Sequence, residues 1–310
     1  MNTPSVLFVI FRRPEATARV FEAIRRARPS RLFVAADGPR PGRQDEAELC
    51  RQTRAVVERV DWPCQVVTRF QETNQGIKEG VTGAISWFFS QVDEGIILED
   101  DCLPHPDFFP YCAALLKQYR DDERVFHVGG NNFQPKSRVM AESYYFSRYN
   151  HIWGWATWKR AWDRYRAEFE GLEDFLVEAD RTGFWDSARE QTYWSKMFRR
   201  TRDGRVITWD YQWTYTMWAE GALAVTPRSN LVANIGFGHG ATNVAEAKDQ
   251  EGQRPLEPLG TVTVNPWPIR YRAAVRYTFT NKFWGMPVDR LRLRLRQAGA
   301  MLRRFGGRRP

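Results

Sequence analysis

Three carboxylates stand side by side at Glu99-Asp100-Asp101, directly after the apolar run Gly95-Ile96-Ile97-Leu98. Adjacent carboxylates repel one another, so the cluster needs a cation or positive neighbours. Hard oxygen donors suit Mg²⁺ or Mn²⁺, ions that keep several waters and bridge substrate phosphates. A departing diphosphate needs such neutralisation. Further polar groups follow other apolar runs. Arg12 and Arg13 come after the first, Asp37 after the second, and Glu72 and Asn74 after the third, with Lys78 just beyond. Brought to one edge, these cations and acids would suit a phosphate, a metal and a polar base or sugar together. Taken singly, each also reads as a solvated loop charge.

Whether they converge depends on the elements between them. Val6 to Phe11 is a continuous apolar run, as expected of a strand buried on both faces. Pro14 suits a first helical turn, and Val20, Phe21, Ile24 and Ala27 follow at helical spacing up to Pro29. Strands are predicted at Arg31 to Ala36, Gln65 to Phe70, Gly95 to Leu98 and Arg124 to Val128. Helices are predicted around Glu46 to Val60, through Val81, Ala84, Ile85, Phe88 and Phe89, and from about Pro106 to Tyr119. Repeated strand–helix units imply an α/β fold with a mostly parallel, doubly wound, Rossmann-like sheet. Ligands of such sheets bind outside the carboxyl ends of the strands, where the polar groups above would lie.

The alternation then stops. Nine of the 13 tryptophans fall between Trp153 and Trp218, among helical patterns. The expected organisation is a nucleotide-binding half at 1–140, a helix-rich, Trp-rich half at 141–247, and a linker with a basic tail at 248–310. The net charge of +9 resides in that tail: residues 265–310 hold 12 of the 46 basic residues and one of the 37 acids. The body is near neutral, which argues against nucleic acid and for a local contact with something anionic. Between Asp289 and Arg309, eight arginines interleave with leucines, a composition suited to an anionic membrane surface as well as to a solvated arginine tail.

Cys50, Cys64, Cys102 and Cys112 include no CxxC pair and read as free thiols of a reducing compartment. No run is long enough to span a bilayer, and no zinc helix, phosphate loop, dinucleotide fingerprint or nucleophile elbow is present.

Gly95–Asp101 with Pro106-Asp-Phe-Phe-Pro-Tyr111 resembles the metal-binding segment of GT-A glycosyltransferases. The likeness is to the N-acetylglucosaminyltransferase I group and its bacterial nucleotide-diphospho-sugar transferase relatives. Val9-Ile-Phe-Arg-Arg13, Ala36-Asp-Gly38 and Trp209-Asp-Tyr-Gln-Trp213 resemble that family in order, and Phe237-Gly-His-Gly240 does so more weakly. The resemblance implies that Asp101 binds Mn²⁺ or Mg²⁺, with His239 near the metal and diphosphate. It sets Asp100 near the donor ribose, Glu99 near the donor sugar and Asp37 against the uracil ring. Arg13, or Arg12 in its place, would meet the diphosphate, and Lys78 would lie near the donor.

An inverting transfer also needs a carboxylate opposite the departing diphosphate to take a proton from the acceptor hydroxyl. Asp210 is the candidate. It stands beside the helix face traced by Trp209, Trp213 and Met217, where a plain N-cap would also sit. The family carries two adjacent acids here, whereas Tyr211 follows Asp210 in this chain, and a retaining course stays open. Trp153, Trp155 and Trp213 are candidates for an acceptor groove, since indoles stack on sugar faces; most of the cluster belongs to a core. Gly154 would leave room beside two of the indoles.

The expected protein is therefore a metal-dependent, inverting glycosyltransferase of the bacterial cytoplasm, or of the inner membrane face. It would use a UDP-sugar and a saccharide or lipid-linked acceptor, as in polysaccharide biosynthesis. A sugar-phosphate nucleotidyltransferase is the alternative, though Phe11-Arg-Arg-Pro-Glu15 replaces the Gly-rich signature and lysine usual there. A non-catalytic carbohydrate-binding protein is a third.

Overall fold

β1 (Val6–Ile10) lies at the centre of the first half, with only Val9 not fully buried. It pairs in parallel with β2 (Arg31–Ala36) on one side and β4 (Glu94–Glu99) on the other, and β2 pairs in parallel with β3 (Gln65–Phe70). The computed structural model describes residues 3–135, 142–236, 254–263 and 271–283. Three helices make the crossovers: α1 (Pro14–Ala27), α2 (Gln44–Ala55) and α3 (Gly76–Phe89). Pro14 at the head of α1 fixes a helical φ where no intrahelical N–H bond is lost. Val20, Phe21 and Ile24 give α1 the apolar stripe that it lays on the sheet. The strand order β3-β2-β1-β4 reverses direction between β1 and β4, the switch point at which such sheets open a crevice.

The sheet does not stop at β4. After β5 (Cys102–Pro104) and α4 (Phe108–Gln118) come β6 (Val125–Gly129), β7 (Tyr144–Ser147) and β8 (Trp155–Trp158). Later come β9 (Leu223–Pro227) and β10 (Val232–Asn234). The full order is β3-β2-β1-β4-β8-β6-β9-β7, and β10 pairs with β5 in a separate ribbon. β8 runs antiparallel to both β4 and β6, so the first and second halves share one mixed sheet. The expected helix-rich second half thus also contributes strands. They are three to five residues long, and β7, β8 and β9 are buried on both faces, so neither length nor alternation marks them in the sequence.

Short helices α5 (Lys159–Trp162), α6 (Leu172–Arg181), α7 (Ala188–Arg202) and α8 (Asp210–Ala219) cover one sheet face. Between them and β8 lies an aromatic core. Trp155 packs on His127, Trp162, Trp209 and Trp213, with ring centroids 4.9–6.4 Å apart. Trp194 and Trp218 form a second centre with Tyr149 and Phe198. Gly154 has φ +63°, and a Cβ there would press on Val232 and Leu98. Its glycine serves a left-handed backbone in a tight crossing, not space beside the indoles.

Residues 254–283 were expected within the linker and tail. Their described parts instead pack on the body. Arg254 donates to the Asn132 and Gln134 carbonyls, and Asp107 accepts from the Leu259 and Gly260 amides. α9 (Arg272–Thr278) buries Ala274 and Val275 and ends in a π-helical turn, Phe279–Phe283. The arginine-rich segment 289–309 lies outside the described residues.

Trp155→Ala should cost about 3–5 kcal/mol of stability, the usual loss for a buried large aromatic. Chemical denaturation measures it, and a midpoint unchanged from wild type would contradict this packing.

Candidate active site

A cavity of about 830 Å³ opens at the switch point between β1 and β4. Its floor is made by the carboxyl ends of β1, β2 and β4, one wall by the start of α3, and the opposite wall by α7, α8 and the π turn. Of the expected site residues, Arg13, Asp37, Glu99, Asp100, Asp101, Trp153 and Asp210 all line it.

Arg13 joins the ends of β1 and β4. One guanidinium nitrogen donates to Asp100 Oδ1 at 2.8 Å and to Asp101 Oδ2 at 3.0 Å. The Phe11 amide donates to the other Asp100 oxygen at 3.1 Å. Three acids thus face one guanidinium, and negative charge is in surplus. Burial, with Asp101 and Asp100 adjacent, pushes the Glu99 carboxyl up to about 8. Burial also pushes Asp100 up to about 6, against the pull of Arg13. Arg12 turns away to the buried Glu46 of α2, at 2.9 Å, so Arg13 is the arginine at the cavity.

Asp101 packs against the end of β10. Its carbonyl accepts from Ile235, and a Cβ on Gly236 would overlap its carboxylate. Glycine is needed there for a close approach. Among the described residues, no group of three or more His, Cys, Asp or Glu could by itself hold a metal ion. The donor set therefore does not make an all-protein cage. It does fit a hard cation held by one or two carboxylates, with phosphate oxygens and waters completing the shell. His239 lies outside the described residues.

Asp37 organises the far end of the cavity. Its Oδ1 accepts from the Gly38 and Gln75 amides, and its Oδ2 from Asn74 Nδ2, all at 2.8 Å. Burial raises its carboxyl, opposed by those amides. These bonds pin the loop leading into α3. Lys78 is not brought to the cavity lining; it pairs with the exposed Glu168 at 2.9 Å.

On the opposite wall, Asp210 is the first residue of α8 and does not cap it; the N-cap position is Trp209, without a side-chain cap bond. The Asp210 carboxylate accepts from Thr208 Oγ1. Burial holds its pKa above the usual carboxylate range, with Thr208 and Lys282 pulling down. Trp153 is half-buried on the lining, as expected of a stacking surface. Trp155 and Trp213, expected at an acceptor groove, do not line it: both are fully buried behind the wall, where no acceptor can reach them. Their indoles fill the layer between β8 and α8.

The wall also carries residues that motif reading passed over. Tyr193, Trp194 and Tyr211 present aromatic surface, and Lys282 and Phe283 arrive from the π turn. The aromatic residues are indistinguishable in sequence from their core neighbours. Lys282 lies among the 12 basic residues of 265–310, whose arginine-rich composition reads as a solvated tail.

No family model and no curated protein sequence matches the chain. Solved structures with some similarity include HddC from Yersinia pseudotuberculosis, at 8% identity and a TM-score of 0.31 over 51% of this chain and 77% of that one. A 4-diphosphocytidyl-2C-methyl-D-erythritol synthase from Anaerococcus prevotii matches at 6% and 0.29, over 63% and 84%. A UDP-glucose pyrophosphorylase complexed with UDP-glucose matches at 13% and 0.26, over 53% and 71%. Likeness at this level bears on neither family nor activity.

The raised carboxyls set a pH dependence. Glu99 and Asp100 hold protons in the folded chain at pH values where the unfolded chain has lost them, so their contribution to stability falls as pH rises toward about 8. Glu99→Gln should therefore melt higher than wild type at pH 8, with the gap closing near pH 5. Thermal melts across that range check it; a gap that grows on acidification would contradict the assignment.

Proposed function

We propose that this protein is a metal-dependent glycosyltransferase that moves a sugar from a UDP-sugar to a hydroxyl of a saccharide or lipid-linked acceptor, with inversion. One observation carries the reading. A cavity at the switch point is lined by the acidic triplet and Arg13 and, on the α8 wall, by a further, partly buried carboxylate, Asp210. A charged cluster at the β1 and β4 ends together with a further carboxylate on the α8 wall suits displacement of a diphosphate by a hydroxyl.

In this reading the diphosphate lies over the β1 and β4 ends, and the nucleobase lies toward the loop that Asp37 and Asn74 hold. A Mn²⁺ or Mg²⁺ ion at Asp101, when bound, would neutralise the diphosphate's charge. Asp210 takes the proton of the acceptor hydroxyl as its oxygen attacks the anomeric carbon and the bond to the diphosphate breaks. The burial that raises the Asp210 carboxyl makes it a stronger base than an exposed aspartate. Activity should accordingly fall on the acid side at a pH above the ordinary carboxylate range. The aromatic wall excludes water and offers faces for sugar stacking.

Nucleotidyl transfer would draw on the same triplet and Arg13; against it stands Phe11-Arg-Arg-Pro-Glu15, in place of the Gly-rich signature and lysine usual after β1 in such enzymes. The full chain supplied with UDP-sugars should release UDP only with Mn²⁺ or Mg²⁺ present. Asp101→Asn should lose metal-dependent UDP binding while keeping its melting transition. Asp210→Asn should keep UDP affinity and lose turnover by about 10²–10⁴-fold. Pyrophosphate release from UTP and a sugar 1-phosphate would replace this reading with nucleotidyl transfer. UDP binding with no turnover of any UDP-sugar would leave a binding protein.

A further inference from the structure

Asn150 brings to the cavity an amide that is only half used. It lies between β7 and β8, is 7% exposed, and lines the cavity beside Thr214 of α8. One end of the side chain is taken: Thr214 Oγ1 donates to Asn150 Oδ1 at 2.8 Å. The other end, Nδ2, has no hydrogen-bond partner among the described residues, and it is not among the polar atoms sealed in the core. A buried amide is seldom left with an unpaired group, so this one is available to whatever fills the cavity. Both chain neighbours are pinned. The Tyr149 hydroxyl donates to the buried Glu190. On the other side, Trp213 Nε1 donates to His127 Nδ1 at 3.3 Å, and His127 Nε2 donates to the His151 carbonyl at 3.1 Å. An amide fixed in this way gives up little freedom when it meets a ligand.

Thr214 also sets where the amide stands relative to Asp210. It follows Asp210 by one turn of α8, and its hydroxyl lies 3.1 Å from the Asp210 carbonyl. Asp210, Thr214 and Asn150 all line the cavity. Residues four apart share a helix face, with Cβ atoms about 5–6 Å apart. The carboxylate and the amide beside Thr214 are thus separated by a distance that two hydroxyls of one sugar ring can bridge. A hydroxyl both donates and accepts, so it can answer either end of an amide. A monohydric alcohol could satisfy only one of the two groups. Tyr193 and Tyr211 add aromatic surface to the same wall, and such surface with a few fixed polar groups suits a sugar ring.

We infer that Asn150 selects the acceptor: its amide hydrogen-bonds a second hydroxyl on the same sugar ring as the hydroxyl that Asp210 deprotonates. The acceptor is then a saccharide ring that keeps a free hydroxyl near the one that is glycosylated, and not a simple alcohol. That Asp210 meets the acceptor rests on the transferase reading above.

The test uses the full chain with UDP and Mn²⁺ present, read by saturation-transfer NMR. Methyl glycosides of glucose, galactose and mannose are compared first, followed by the single-deoxy versions of the one bound most tightly. Wild type should lose about tenfold in affinity at one ring position that Asn150→Leu no longer senses, the scale of one hydrogen bond. Asn150→Leu removes the amide at similar volume. It should bind the parent glycoside about tenfold more weakly than wild type, and bind that deoxy compound and its parent alike. Thermal melts check that the variant folds, and Asn150→Ala takes its place if it does not. A purely structural role would weaken the parent and every deoxy compound equally and leave each deoxy penalty intact. That result overturns the inference, as does a wild type that binds none of the glycosides or is indifferent to every ring hydroxyl. UDP is titrated on the same samples. Failure to bind it would remove the transferase reading, while the deoxy comparison, repeated without nucleotide, would still decide whether Asn150 reads a sugar hydroxyl.

Discussion

The structure turns on one guanidinium. Arg13 bridges Asp100 and Asp101 at the point where β1 and β4 part company, and the Phe11 amide completes the cradle of Asp100. Asp100 is buried, so without this partner an ionised carboxylate would sit out of water beside the Asp101 carboxylate with no counter-charge from Arg13. Breaking such a pair from one side costs about 3–5 kcal/mol. The bridge also decides where charge remains. It leaves the triplet negative overall, with Glu99 and Asp101 on the cavity lining. On the proposed function, acids held in place yet short of full compensation would suit a cation and a diphosphate together.

The second constraint is rigidity of the facing wall. Trp155, Trp209 and Trp213 fill the space between β8 and α8, and Tyr165 donates to the Trp209 carbonyl at 2.9 Å, fixing the start of α8. Asp210 follows directly, so its position derives from a core that cannot shift without opening a void. On the other flank, Trp194 donates to Tyr149, whose hydroxyl donates to Glu190, and Glu190 pairs with the buried Arg148. Breaking that chain on one side would again leave a buried charge uncompensated.

Much of the first half was legible because both-faces-buried strands and amphipathic helices alternate there. β1, β2 and β4 fall where apolar runs end in charged or turn residues, and Asp37 and the triplet follow from that, while β3 is a largely exposed edge strand. The second half resisted for a physical reason. β8 is Trp-Ala-Thr-Trp, four residues buried on both faces, and nothing local separates it from the start of a helix. The same burial blurs Trp153, which lines the cavity, from Trp155, which does not, since an indole on a wall and one in a core look alike in sequence. Lys282 was hidden differently. An arginine-rich surrounding suggested a solvated tail, whereas Ala274, Val275 and Phe279 anchor the stretch to the body.

The central claim is that the triplet side of the cavity receives a cation together with a nucleotide diphosphate. Anomalous diffraction from crystals of the full chain soaked with Mn²⁺ and UDP tests it most directly. The account predicts a single strong peak at coordination distance from an Asp101 carboxylate oxygen, with the diphosphate bridging it toward the end of β1. A peak at some other cluster, or UDP bound away from the β1–β4 edge, would contradict it.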